Sequence, residues 1–352
     1  MVTRLTKVDV EKVMLAAPRG FCAGVEKAIK ALDWMTRVFE PPVFCYHEIV
    51  HNRFVVDYFK SLGVVFVDDI ADVPPGAPVM LSAHGSPPEL IDAARRGGGT
   101  VIDAVCPLVT KVHHELKVRA RKGYTVLYVG HEGHEEAVGT MAVAPDSVHL
   151  IESTGDIDAL TGAEGPFALL SQTTLSFDEW QHLREYAEAK FPDIWMPNRS
   201  DLCFATTNRQ TALRAIASDA DAVVVIGSAN SSNTVALTKV AETVGAGRVI
   251  RVNRASELPD DLSGTVAVTA GASAPESLVN EVLEALNPRG GVTVDTVTVE
   301  DEYFPPPPEL REMLKALSAV LDLALLTPQV STFDGQADRD FTAAQVLAAA
   351  SR

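Results

Sequence analysis

Three of the four cysteines stand where an extended stretch of sequence ends and a helical one begins. Cys22, Cys106 and Cys203 lie in the segments PRGFCAGVEKA, DAVCPLVTKVH and SDLCFATTNRQ. The first turn of a helix favours a thiolate, because free backbone N–H groups and the positive end of the helix dipole face it. Soft thiolates select zinc, copper(I) or iron–sulfur clusters. Three thiolates on a cubane cluster would leave one iron free to bind a substrate.

The fourth cysteine, Cys45, lies inside the short apolar run VFCY. A cysteine within a strand is most often a small buried hydrophobic residue, and we expect that here. The sequence has no CxxC pair, so neither a zinc ribbon nor a thioredoxin-like motif is indicated.

Histidines and carboxylates gather in the same kind of polar turn. His51, His84 and His134 lie in or beside the segments HEIVHN, SAHG and GHEGHEE. Imidazoles at several such turns indicate a binding or proton-transfer site. Glu136 is the best candidate for a proton-transferring carboxylate. Its neighbours Glu132 and Glu135 could lie on a solvated face, and the sequence barely separates the three.

The elements that must position these residues are short β-branched runs alternating with amphipathic helical patterns. This alternation predicts parallel sheets built from βα units, and the number of strands suits several small sheets. Predicted strands cover 13–17, 43–46, 64–67, 79–83, 101–105, 126–130, 167–171, 222–227, 249–252 and 266–271. Predicted helices include 26–39 and 176–191.

Five predicted strands run into a turn of small polar residues followed by a helix. The turns are SAHGSPPE, VGHEGHEE, SQTTLSFDE, IGSANSSN and VTAGASAP. Each could be ordinary helix capping, but ligands bind at the carboxyl ends of parallel strands and helix N-termini suit anions. Five such turns therefore predict an anion site. Neither GxxxxGK[ST] nor GxGxxG occurs, so a P-loop and a dinucleotide fold have no support.

Composition narrows the class of protein. The 352 residues are 47% hydrophobic and carry a formal net charge of -17. So acidic a chain is a poor general binder of nucleic acid or of anionic membranes, although a small anionic substrate is compatible with it. The charged start MVTRLTKVDVEKV resembles no secretory signal and no apolar run could span a bilayer, which predicts a cytoplasmic protein. The first dozen residues are expected to be dispensable.

After residue 303 the pattern changes. FPPPPELREM ends the α/β alternation, and 309–325 reads as an amphipathic helix followed by a less regular tail with a final helix. We expect residues 305–352 to form an appendage that packs on the body or mediates association and has no catalytic content.

Nine ordered blocks resemble the motifs of the LytB/IspH family of 4-hydroxy-3-methylbut-2-enyl diphosphate reductases. The resemblance covers residues from about 12 to 311. The blocks are PRGFCAGV, HEIVHN, SAHG, DAVCPLVTKVH, GHEGHEEAVGTM, SQTTLS, DLCFATTNRQ, GSANSSN and VTAGASAP.

The resemblance implies an α/β fold of three small parallel-sheet domains in pseudo-threefold arrangement around a central [4Fe-4S] cluster, one per chain. The domains would span 24–106, 107–199 and 200–304 with 12–23, followed by the helical appendage 305–352. Cys22, Cys106 and Cys203 resemble the three cluster ligands.

The remaining site residues also come from the resemblance. Glu136 matches the carboxylate of the family's proton path, with Thr173 and His134 as catalytic neighbours. The residues that match diphosphate-binding or pocket-lining positions are His51, His84, His134, Thr173, Ser231, Asn233 and Ser273, with Ser232 as an assistant.

The implied reaction is reductive removal of the allylic hydroxyl, bound to the unique cluster iron, with two electrons and two protons. The products would be isopentenyl and dimethylallyl diphosphate. This reaction is the last step of the methylerythritol phosphate route to isoprenoids. A ferredoxin or flavodoxin is expected as electron donor.

Two alternatives stay open. One is a zinc-dependent hydrolase of a small phosphorylated substrate with Glu136 as base, which the lack of HExxH and of paired CxxC spacing weakens. The other is a non-enzymatic sensor that uses a cluster as its signal, which the combination of Glu136 with the anion-binding turns disfavours.

Overall fold

The computed structural model of the chain describes residues 9–163, 165–325 and 335–348. The strands in these ranges, β1 to β12, are Asp9–Ala17, Val43–Tyr46, Val64–Val67, Val79–Leu81, Val101–Asp103, Thr125–Val129, Val148–Ile151, Phe167–Ser171, Ala222–Ile226, Val249–Val252, Ser263–Ala270 and Val292–Thr296. The α-helices, α1 to α13, are Ala23–Val38, Arg53–Ser61, Pro88–Arg96, Pro107–Arg121, Glu135–Met141, Thr154–Ala159, Phe177–Lys190, Phe204–Ala217, Ser232–Thr243, Glu276–Leu286, Pro308–Leu325, Gly335–Asp340 and Ala343–Ala348.

The strands form three separate sheets. The first has the order β3-β2-β4-β5, the second β7-β6-β8, and the third β10-β9-β11-β1-β12. Every pairing between these strands is parallel. The predicted α/β class with three small parallel sheets and C-terminal helices is confirmed.

The central strands explain why the sheets are parallel and buried. All five residues of β9, AVVVI, are buried, so both faces of this strand are covered, as continuous apolar strands of parallel sheets require. On β1, Val13 and Leu15 pack on one side of the third sheet, while Ala16 packs on the other against α8 and α9. Alternate side chains of one strand thus supply two cores.

Two strands were not predicted, and both lack an apolar run. β12, VTVDT, is exposed at all five positions and lies at the edge of the third sheet. β7, VHLI, is an edge strand of the second sheet and buries only its two ends. An edge strand needs no continuous hydrophobic run, so its sequence signal is weak.

The prediction that the first dozen residues are dispensable is wrong for the end of that segment. β1 begins at Asp9 and is in register with the start of β11, where Asp9 faces Ser263 and Lys12 faces Thr265. Charged side chains alternate with buried ones there, as in Val10 followed by Glu11. The sequence therefore showed no apolar run that would have predicted this part of the strand. Residues 1–8 lie outside the described ranges.

Each sheet with its packed helices forms one unit, numbered first to third like the sheets. The C-terminal helices pack on the first unit. Leu310 and Leu314 of α11 and Val346 and Leu347 of α13 share one core with α1. The expectation that the appendage packs on the body is confirmed for these residues, whereas 326–334 and 349–352 lie outside the described ranges.

Within the described residues, none of the helices combines the length and the apolar character that crossing a membrane would require.

Candidate active site

A cavity that is partly open to solvent lies between the three units, at the carboxyl ends of their strands. Side chains from all three units line it, as expected for ligand sites of parallel sheets. Among its described lining residues there is neither a lysine nor an arginine. The candidate residues that line it are Cys22, Cys106, Cys203, His51, His84, His134, Glu136, Thr173, Ser231, Ser232, Asn233 and Ser273.

The three lining cysteines each cap a helix. Cys22, Cys106 and Cys203 are the N-cap residues of α1, α4 and α8, and each has an extended backbone. The Cys203 sulfur accepts a hydrogen bond from the Thr206 N–H at 3.2 Å and lies 3.0 Å from the Thr206 hydroxyl. The polar turns place three thiols around one space, each at the positive end of a helix dipole.

The surroundings of these thiols disfavour their ionised form unless a cation is bound. Burial, and then the proximity of Cys22, raises the pKa of Cys106 to about 12 and that of Cys203 to about 11. Ionised sulfurs here therefore need positive charge among them, which an iron–sulfur cluster supplies. The residues present fit such a group.

Spacing separates a cluster from a single metal ion. A single metal ion needs ligand atoms close to one another. Among the described residues, three ligand atoms lie within 4.8 Å of one another in the group of His51, His84 and Glu135, and the three thiols do not form such a group. Sulfurs bound to one tetrahedral zinc, each about 2.3 Å from the metal, would have to lie nearer to one another than the three thiols do.

Gly24 lets two of the thiols approach the same stretch of backbone. A Cβ at this position would lie 2.9 Å from the Cys106 sulfur and 3.8 Å from the Cys22 sulfur. Gly20 serves another purpose: its φ is +67°, a left-handed turn that glycine adopts without strain, and the nearest atom to an added Cβ would be the Ala274 oxygen at 3.1 Å.

Cys45 lies apart from the cavity. It is fully buried in β2, within the hydrophobic core that α1 and the C-terminal helices share, and burial raises the pKa of its thiol. The expectation that Cys45 is a buried structural residue is confirmed.

Glu136 and Thr173 form a buried pair at the cavity wall. The Thr173 N–H donates to Glu136 Oε1 at 2.7 Å, and the Thr173 hydroxyl donates to Glu136 Oε2 at 2.9 Å. Burial raises the pKa of Glu136 to about 7, against the opposing effect of these two hydrogen bonds. A carboxyl with such a pKa both gives and takes protons near neutral pH.

Three imidazoles stand together at the cavity. The rings of His51 and His84 are stacked with centroids 4.1 Å apart, and His134 meets both edge-on, at 5.7 and 6.1 Å. His134 Nδ1 accepts a hydrogen bond from the Glu136 N–H at 3.1 Å, so its proton is on Nε2. Burial and the other two imidazoles lower the pKa of His134 to about 3.

The hydroxyl and amide groups of the candidate anion site hold one another in place. The Ser273 hydroxyl donates to the His51 carbonyl at 2.9 Å and lies 3.4 Å from the Ser231 hydroxyl. Asn233 Oδ1 accepts from the Ala272 N–H at 2.9 Å. Ser232 instead bonds the Thr174 hydroxyl at 2.9 Å, on the side of the second unit.

Two charged residues beside the site were given no role from the sequence. The side chain of Glu135, which the sequence did not separate from Glu132 and Glu136, is 19% exposed and contacts His47 and His84. Arg209 is fully buried and donates to the carbonyls of Gly20 and Phe21 just before Cys22. The charged residue in the otherwise small and polar segment CFATTNRQ was the available signal for Arg209.

Comparison with known proteins agrees with this geometry. The family model described as LytB protein matches residues 13–287. A 4-hydroxy-3-methylbut-2-enyl diphosphate reductase of Rhodopirellula baltica is 46% identical over 306 residues, 85% of this chain and 96% of the relative. The reductase of the same name from Streptomyces avermitilis is 44% identical over 90% of this chain and 96% of its own length.

Two solved structures are also similar. The E-1-hydroxy-2-methyl-but-2-enyl-4-diphosphate reductase of Plasmodium falciparum superposes with a TM-score of 0.84 at 31% identity, covering 88% of this chain and 99% of that one. A structure described as the reductase that is the terminal enzyme of the non-mevalonate pathway gives a TM-score of 0.58 at 28% identity, covering 79% and 99%. From the family model and these relatives, the chain belongs to the LytB family.

Proposed function

We propose that this chain reduces (E)-4-hydroxy-3-methylbut-2-enyl diphosphate to isopentenyl and dimethylallyl diphosphate, the last step of the methylerythritol phosphate, or non-mevalonate, route to isoprenoids. Relatives that are 44–46% identical to it over the aligned residues are reductases of this name. The observation that carries the proposal is the meeting of three helix-capping thiols, a buried Glu136–Thr173 pair and three imidazoles in one cavity.

Cys22, Cys106 and Cys203 would hold a [4Fe-4S] cluster. When bound, such a cluster supplies electrons and, at the iron without a protein thiolate, a Lewis acid. The apolar surroundings of the thiols support this assignment, because they disfavour bare thiolates and exclude water. Cys45 is not available as a fourth ligand, since it is buried in β2.

The reaction needs two electrons and two protons. One proton leaves with the hydroxyl as water, and the other is added to an allylic carbon, at either end. Glu136 supplies the proton for the leaving hydroxyl, and the two hydrogen bonds from Thr173 keep the carboxyl oriented. Thr173 joins the relay when the protonated carboxyl donates to its hydroxyl, which then gives its own proton to the leaving hydroxyl. His134, with a proton on Nε2 and none on Nδ1, donates from its neutral ring.

The diphosphate binds among the stacked imidazoles and the hydroxyls of the third unit. The rings of His51 and His84 face the anion, and Ser231, Asn233 and Ser273 supply neutral polar groups. The Ser273 hydroxyl, which donates to the His51 carbonyl, must turn to donate to the diphosphate. Ser232 assists from beside the second unit. Preorganised polar groups of this kind, in surroundings of low dielectric, stabilise an anion without an arginine clamp.

Electrons come from a separate protein, because the sequence has no GxGxxG motif for a nicotinamide or flavin dinucleotide. A ferredoxin or flavodoxin fits the one-electron steps. We further propose the domain bounds 24–106, 107–199 and 200–304 with 12–23, followed by the appendage 305–352; the observation that supports them is one parallel sheet for each of the first three units.

The test is turnover of Glu136→Gln with an artificial one-electron reductant. We expect normal iron content and substrate binding, with turnover lowered by about 100-fold or more, since general acid catalysis contributes on that order. Glu132→Gln, which removes the same charge from an exposed neighbour, is the control and should retain full turnover. Near-normal turnover of Glu136→Gln would assign the proton step to another group.

The same preparation separates the alternatives. A zinc hydrolase would be colourless and would need no reductant, whereas an iron–sulfur protein absorbs near 400 nm, a rough figure for such clusters. A coloured protein that never reduces the diphosphate would instead indicate a sensor.

A further inference from the structure

Glu135 is a carboxylate bound between two imidazoles just outside the cavity. Its Oε2 lies 2.8 Å from Nδ1 of His84, and its Oε1 lies 3.0 Å from Nδ1 of His47. The Ser82 hydroxyl donates to the same carboxylate at 3.3 Å. Burial by itself would raise the pKa of Glu135, but hydrogen bonds from His47 and His84 hold it well below its ordinary value. Glu135 is therefore an anion at neutral pH.

This contact decides which nitrogen of His84 faces the ligand. A carboxylate only accepts hydrogen bonds, so Nδ1 of His84 must carry a proton, and Nε2 is the nitrogen left for the cavity. In the neutral ring, Nε2 would be a lone pair and would repel a phosphate oxygen. Only the imidazolium form presents an N–H there, with Glu135 on one side and the anion on the other.

The neighbours of His84 oppose this charge, which makes Glu135 necessary. His51 is stacked on His84, and His134 meets it edge-on at 6.1 Å. The pKa of His84 is lowered overall, because burial and then His51 lower it by more than the hydrogen bond and charge of Glu135 and the charge of Glu48 raise it. With no lysine or arginine among the described lining residues, a positive side chain at the cavity wall has to be a protonated imidazole.

The second stacked imidazole has the same kind of partner. His51 Nδ1 lies 3.2 Å from Glu48 Oε2, which also accepts from the Asn230 side chain at 2.9 Å. Each stacked ring thus has a carboxylate at Nδ1 and keeps Nε2 for the ligand. His134, whose Nδ1 accepts from backbone, has no such partner and needs no charge to donate from Nε2.

We propose that Glu135 is a positioning residue for the diphosphate: it orients His84 and stabilises its imidazolium form, so that Nε2–H meets the anion. The proposal rests on the proposed function, in which His84 binds the diphosphate. His47 is the outer partner, fixed in a left-handed backbone conformation at φ 57° and stacked on Tyr46, and it holds the other oxygen of the carboxylate.

The test compares Glu135→Gln with Glu132→Gln in the reconstituted enzyme. Glutamine keeps the shape but removes the charge, whereas the control removes a charge three residues away at an exposed position. We expect Glu135→Gln to raise KM and the inhibition constant of inorganic pyrophosphate by about tenfold, with kcat within about twofold, as loss of a charged hydrogen bond implies. The rise should grow as pH increases, because His84 then loses its proton more easily.

Other results would show whether the role of Glu135 or that of His84 is wrong. A KM and pyrophosphate inhibition constant equal to those of Glu132→Gln, or a fall in kcat alone, would overturn the role of Glu135. If Glu135→Gln does not fold, Glu135→Asp, which cannot span both imidazoles, should show the same rise in KM, and a normal KM would overturn the proposal. His84→Gln tests the site itself: unchanged pyrophosphate inhibition there would overturn the proposed diphosphate role of His84, whatever Glu135→Gln does.

Discussion

At the scale of single residues, burial distinguishes three glutamates within five positions of the chain, two of them adjacent. Glu132 is exposed, Glu135 is bound between imidazoles, and Glu136 is 2% exposed and bound to Thr173. The sequence GHEGHEE separates them poorly, because a helix start turns consecutive residues in different directions. The structure therefore places the three carboxyl groups, which are close in sequence, in three different environments.

The pKa of Glu136 predicts an alkaline limit to turnover. Since burial raises this pKa to about 7, the carboxyl is protonated below that pH and loses its proton as pH rises through it. A proton donor must be protonated, so kcat at saturating substrate should fall as pH increases above about 7. The measurement is a pH profile with an artificial donor whose potential does not depend on pH.

Thr173→Val sharpens that experiment. The bonds from Thr173 lower the pKa of Glu136, so removal of the hydroxyl should lower kcat and move the remaining alkaline limb to higher pH. A wild-type kcat that is constant between about pH 6 and 9 would show that Glu136 is not the titrating donor.

At the scale of elements, the sequence predicted most strands and the cysteine-bearing turns because these are local patterns. A buried β-branched run followed by a small polar turn and a helix is visible within about ten residues. The Arg209 contacts are not local: its guanidinium reaches the Gly20 carbonyl, 189 residues away in the chain. Such a contact follows from how the units pack, which no local pattern records.

Arg209 fastens α8, which begins after Cys203, to the turn that carries Cys22. It also pairs with Glu300 at 3.0 Å. Arg209→Leu leaves buried carbonyls and a carboxylate without their partner, so the free energy of unfolding should fall by about 3–5 kcal/mol.

Arg214→Leu on the same helix is the control for Arg209. Its partner Asp178 is half exposed, and the change should cost less than about 1 kcal/mol. Denaturant unfolding of the two variants measures both values, and equal costs would show that Arg209 does not clamp the two elements.

At the scale of the whole molecule, the appendage is tied to the helix that Cys22 caps. Lys30 of α1 pairs with Asp338 at 3.0 Å, both side chains being almost fully buried, and the Tyr303 hydroxyl donates to the same carboxylate at 2.7 Å. Glu26 accepts from the Ala343 N–H at 2.6 Å. The sequence predicted a packed tail but not these partners, because pairing between distant charged residues has no sequence signature.

Asp338→Asn should loosen the appendage. Lys30 would keep the Asp338 carbonyl but lose its paired carboxylate, which costs about 3–5 kcal/mol, so the amides of α13 should exchange with solvent much faster. Asp301→Asn removes the exposed pair with Arg339 and should cost less than about 1 kcal/mol. Hydrogen exchange of both variants decides the point, and equal protection of α13 in the two would contradict the role of the buried pair.

We propose that Cys22, Cys106 and Cys203 hold one iron–sulfur cluster and that Cys45 takes no part. Iron and sulfide content after anaerobic purification of wild type, Cys22→Ser and Cys45→Ser tests this. We expect about four iron and four sulfide per chain in wild type and Cys45→Ser, and loss of iron and colour in Cys22→Ser. A Cys22→Ser protein with full iron and colour, or a wild-type chain with zinc in place of iron, would contradict it.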